Sequence, residues 1–98
     1  MITLYLAGPV TGRPKLNKPL FVHHAIALRA KGYEVIIPHD HVPSTATHDE
    51  AMSICLPIVE KVDGVALIPG WELSVGARME YEKAFVFGIP AKRVEEWR

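Results

Sequence analysis

Three short apolar runs limit what this chain can become. Residues 2–7 (Ile-Thr-Leu-Tyr-Leu-Ala), 33–38 (Tyr-Glu-Val-Ile-Ile-Pro) and 64–69 (Gly-Val-Ala-Leu-Ile-Pro) are rich in β-formers, and the first and third are apolar on both faces. A strand that is apolar on both faces must be covered on both, which is the condition of a parallel sheet sandwiched between helices. The stretches between the runs have helical spacing. After Pro19, Leu20, Phe21, His24, Ala25 and Leu28 recur at intervals of three and four, and Gly32 is placed to stop the helix. Thr47-His48-Asp49-Glu50 matches a capping box, with Met52, Cys55, Val59 and Val62 along one face behind it. Pro57 removes a backbone donor there, so a kink or a late helix start is expected. Ser74 suits the N-cap of a third helix that reaches Phe87 before Gly88, and residues 89–94 can form a fourth strand.

This alternation predicts an α/β fold, a three-layer flavodoxin-like or Rossmann-like sandwich on a parallel sheet of about four or five strands. Its 98 residues fit one domain, 1–98, with residues 38–47 as a polar loop. Ligands of such sheets bind beyond the carboxyl ends of the strands, here Gly8 to Gly12, the loop after Pro38, and Gly70 to Gly76. Acidic and basic residues balance at 11 each, which predicts no nucleic acid polymer and no membrane as partner. A small neutral or singly charged ligand is expected instead. The apolar start lacks a basic leader and is too short for a signal or a span, and the one cysteine, Cys55, suits a reducing compartment, so a cytoplasmic protein is expected.

On the third helix Ala77, Glu80, Ala84 and Phe87 share a face, so Glu80 interrupts an apolar stripe. Glu82 lies about 200° around the helix from it and points to solvent. From pattern alone, Glu80 is equally well a surface charge or a carboxylate held toward the ligand crevice. Gly8-Pro9-Val10-Thr11-Gly12 offers backbone donors and a hydroxyl for a ribose or phosphate, with Gly8, Pro9, Thr11 and Gly12 as substrate-binding candidates. It is neither a Walker loop nor a dinucleotide fingerprint, and no cofactor is expected. Trp71 is a candidate for stacking on a base or sealing the pocket, and simple edge packing suits it equally well. Arg13 and Arg78 read as solvated surface residues that could also meet a phosphate. His39, Asp40, His41 and His48 have ligand chemistry but the wrong spacing for a metal, and the loop that carries them reads as a border of the pocket.

The strings Leu4-Tyr5-Leu6-Ala7-Gly8-Pro9-Val10-Thr11-Gly12, Asp63-Gly64-Val65-Ala66-Leu67-Ile68-Pro69-Gly70-Trp71 and Ser74-Val75-Gly76-Ala77-Arg78-Met79-Glu80 together resemble the nucleoside 2-deoxyribosyltransferase superfamily, closest to its short, uncharacterised branch. The resemblance implies that Glu80 is a nucleophile, that Tyr5 orients it, and that Ser74, with Gly76 beside it, contacts a phosphate in members acting on nucleotides. It also implies a homo-oligomer, a dimer or larger, in which a partner often completes the site. A carboxylate answers the positive charge that develops on the sugar when an N-glycosidic bond breaks. The departing base needs a proton, and there the chain departs from the family pattern. Cys55 stands where members usually carry an aspartate, and a neutral thiol is a poor general acid. Asp63 is the first candidate to compensate, with Asp49 and Asp40 as further ones, although a turn or cap role suits Asp63 as well. Two functions follow. One is nucleoside or nucleotide N-glycosidic chemistry, by deoxyribosyl transfer or hydrolysis; the other is a catalytically inactive nucleotide-binding or regulatory protein of the same fold.

Overall fold

The computed structural model describes residues 1–98. Strand β1 (Thr3–Ala7) lies inside the sheet, between β2 (Glu34–Ile36) and β3 (Gly64–Leu67), and β4 (Ala91–Arg93) forms the edge beyond β3. All three pairings are parallel, in the order β2-β1-β3-β4. Helices α1 (Lys18–Ala30), α2 (His48–Val59) and α3 (Val75–Val86) supply the crossovers. The result is the α/β sandwich of flavodoxin-like type that the alternation of runs predicts. No helix is long and apolar enough to cross a membrane.

Burial of β1 on both faces sets the layers. Leu4 and Leu6 pack on one side with Phe21, Ala25 and Leu28 of α1, while Tyr5 and Ala7 pack on the other with Cys55 and Val59 of α2 and Ala77 and Ala84 of α3. The period-two alternation of the strand thus sends Tyr5 toward the two helices that carry Cys55 and Glu80. On α3, Ala77, Glu80 and Ala84 are buried and Glu82 is exposed, as the spacing predicts. Phe87 is not part of that face. It caps the helix and is half exposed, because the helical period ends at Val86.

The capping box at the start of α2 is complete: Glu50 N donates to Thr47 Oγ1 at 3.1 Å and Thr47 N donates to Glu50 Oε1 at 2.8 Å. It starts the helix at His48, so Pro57 causes no late start and instead sits on the exposed side near the end of α2. A helix-interior proline costs about 3 kcal/mol. Burial of Val59, at about 1.5–3 kcal/mol for such a side chain, together with Cys55 and Val62, offsets this.

Two local features carry no sign in the sequence. Before α1 the chain makes a 3-10 turn, Pro14–Asn17, in which Lys15, Leu16 and Asn17 all have positive φ. Left-handed backbone at a non-glycine residue costs roughly 1–3 kcal/mol, so this turn needs outside support. At the other end Trp97 folds back under the sheet, where Nε1 donates to Val65 O at 3.1 Å and Lys92 O at 3.2 Å. Gly64 makes room for the indole: a Cβ there would overlap the Trp97 ring and lie 3.0 Å from Leu4 Cδ2. Gly64→Ala is therefore expected to lower stability by about 1–3 kcal/mol in urea denaturation followed by tryptophan fluorescence, and an unchanged midpoint would contradict this packing.

Candidate active site

The carboxyl ends of β1 and β2, the loop after Pro38 and the first turns of α2 and α3 enclose a cleft of about 230 Å³. Gly8 and Thr11 line it from β1, Pro38 and His39 from the β2 side, Thr47, His48 and Met52 from the start of α2, and Ser74 and Gly76 from the start of α3. Glu80 and Cys55 complete the lining. No lysine or arginine lines it, and Glu80 is its one carboxylic acid.

Glu80 is 4% exposed and Tyr5 is fully buried. The Tyr5 hydroxyl donates to Glu80 Oε2, joining the central strand to the one charged-type residue of the core. Removal from water pushes the Glu80 carboxyl up to about 8, against the hydrogen bonds of Tyr5 and Cys55, which pull it down. Burial, reinforced by the neighbouring Glu80, raises the Tyr5 phenol well above its ordinary value. Burial also pushes the Cys55 thiol up to about 11. At neutral pH the free protein therefore holds a mostly protonated carboxyl between a neutral phenol and a neutral thiol. No lysine or arginine in the wall favours ionisation of that carboxyl.

Six of the catalytic and substrate-binding candidates come together: Gly8, Thr11, Ser74 and Gly76 line the cleft with Glu80, and Tyr5 lies behind Glu80. Ser74 is also the N-cap of α3, its Oγ accepting from Ala77 N at 3.2 Å. Asp63 is not brought to the site. It precedes β3 and so lies at the amino edge of a parallel sheet whose cleft is at the carboxyl edge, and there Oδ2 accepts from Thr3 N at 2.8 Å. Trp71 does not line the cleft either; it stacks on Tyr81 with ring centroids 4.9 Å apart. Pro9 and Gly12 border the cleft without lining it, Pro9 O accepting from Asn17 Nδ2 at 2.8 Å. Arg13 and Arg78 stay outside. The loop histidines do not converge on one point, and His39 Nε2 meets Leu16 O at 2.7 Å. Leu16 and Met52, which the sequence reading did not assign to the site, are part of the wall. Apolar side chains carry no chemical signal, so only the fold could place them.

A parallel α/β sandwich with a buried carboxyl at the carboxyl edge of its sheet is the class these features define. Residues 2–92 match the model of a family described as a domain of unknown function (DUF4406), and the chain belongs to that family. Among solved structures it is similar to the solution structure of BlsM, with a TM-score of 0.67 and 21% identity over 90% of this chain. The match covers 61% of the BlsM chain, and at that identity it speaks for the fold. No curated protein matches the sequence.

An acid whose pKa is higher folded than unfolded keeps its proton preferentially in the folded state. The stability it contributes is fully present below about 4.5 and is lost as pH rises through about 8. Urea denaturation across that range is expected to show Glu80→Gln gaining on the natural protein, by up to about 1.4 kcal/mol per pH unit. A stability difference that stays flat between those values would contradict the protonated, buried carboxyl.

Proposed function

We propose that the chain breaks or transfers the N-glycosidic bond of a nucleoside or nucleotide, with Glu80 as nucleophile. The observation that carries this reading is a buried carboxyl, hydrogen-bonded by Tyr5, in the wall of a cleft at the carboxyl edge of the sheet. The motif resemblance supplies the chemistry. Ionised Glu80 attacks the anomeric carbon, the carbon–nitrogen bond breaks, and its electron pair leaves with the base, which takes a proton from water in the cleft. Water or an acceptor base then attacks the same carbon, breaks the glycosyl ester and restores the carboxylate. Tyr5 orients Glu80 throughout, and Ser74 with Gly76 meets the sugar or its phosphate.

Cys55 favours a second reading, a nucleotide-binding or regulatory protein that no longer turns its ligand over. The thiol keeps its proton up to about pH 11, and a positioned acid normally contributes about 10²–10⁴-fold to such a step. An oligomer fits either reading, because Leu73, Val75, Phe85 and Val86 leave an apolar surface on and around α3 that a second copy would cover. The chain's free, buried cysteine fits a reducing compartment such as the cytoplasm.

The test is a panel of deoxynucleosides and deoxynucleoside monophosphates, with and without an acceptor base, followed by chromatography. Free or exchanged base is expected with the natural protein and none with Glu80→Ala. Because attack needs the ionised carboxylate, kcat/KM is expected to rise about tenfold per pH unit below about 8 and to level off above it. Binding without turnover at any pH would support the second reading.

A further inference from the structure

The segment from Gly12 to Lys18 forms one side of the cleft through Leu16. Its backbone is unusual: Lys15 (φ 52°), Leu16 (φ 53°) and Asn17 (φ 60°) form three successive left-handed residues, none of them glycine. Side chains hold this shape at two points, Asn17 Nδ2 donating to Pro9 O at 2.8 Å and His39 Nε2 meeting Leu16 O at 2.7 Å. An imidazole nitrogen that faces a carbonyl oxygen must carry the proton, so His39 Nε2 donates and Nδ1 keeps a lone pair. That Nδ1 is buried and has no partner. The shut arrangement thus contains a strained backbone and an unpaired acceptor, both of which opening to water would relieve. Against them stand two hydrogen bonds and the edge-on packing of the His39 ring on Phe21, 4.7 Å between centroids. Gly12, at φ 79° and with open space around it, is a ready pivot at the amino end, and α1 begins at Lys18.

We propose that residues 12–18 are a lid on the cleft and that His39 is the positioning residue that latches it. The strain and the unpaired nitrogen oppose the two hydrogen bonds and the ring contact, so the lid opens without unfolding the sheet. The proposal rests on the cleft and its wall, not on the chemistry of Glu80, and holds equally for an enzyme or a binding protein.

The sequence supplies its own probe. Trypsin does not cut before proline, so Arg13-Pro14 and Lys18-Pro19 resist it and Lys15-Leu16 is the one cleavable bond in the segment. Cys55, the single cysteine, lines the cleft and reports access to it through maleimide labelling. In His39→Phe, which keeps a ring against Phe21 but loses the donor, nicking at Lys15-Leu16 and labelling of Cys55 are both expected to rise roughly three- to tenfold. His39→Gln, which retains an N–H at similar reach, is expected to return both to near the natural rates, and Asn17→Ala, which removes the second bond, to raise both. Unchanged nicking in His39→Phe and Asn17→Ala would overturn the latch. Nicking without faster labelling would overturn the lid, and equal acceleration of cuts at Arg29 and Lys31 would mean that the whole fold had loosened instead.

Discussion

A carboxyl group withdrawn from water beside a strand tyrosine is the constraint around which this molecule is organised. An ionised carboxylate in an apolar core is too costly to persist without a cation, and no lysine or arginine lines this cleft. Glu80 is accommodated because it keeps its proton to about pH 8 and because Tyr5 donates a hydrogen bond to it. The rest of the arrangement serves that pair. Tyr5 sits on β1, which is paired on both sides, and the small Ala77 and Ala84 on either side of Glu80 let α3 come close to the sheet.

Parallel pairing decides which residues can join that centre. Only what leaves the carboxyl ends of β1, β2 and β3 can reach the cleft, which admits Gly8, Thr11, His39, Ser74 and Gly76 and excludes Asp63. The regular elements are rigidly packed, and the strain is confined to the connection before α1, where Lys15 to Asn17 are left-handed. A fixed centre beside an adjustable wall suits a protein that must admit a ligand before enclosing it.

The elements that sequence revealed are those governed by local rules. Apolar runs on both faces specified the parallel sheet, the Thr47–Glu50 capping box specified the start of α2, and helical spacing separated buried Glu80 from exposed Glu82. Several features had no sign in the sequence, because tertiary support leaves no mark on local sequence. Lys15, Leu16 and Asn17 have no glycine to announce positive φ; they are held by His39, 23 residues beyond Leu16. Trp97 is fixed by carbonyls of Val65 and Lys92 and by the space at Gly64, and Trp71 finds Tyr81 rather than the cleft. Within the candidate site the chemical residues were visible and the apolar wall was not.

The most direct test of the central pair is a carbon NMR titration of the Glu80 side-chain carboxyl in the natural protein and in Tyr5→Phe. A midpoint near 8 is expected in the natural protein, moving higher when the Tyr5 hydrogen bond is removed. A midpoint near the ordinary 4.5, indifferent to Tyr5, would contradict this.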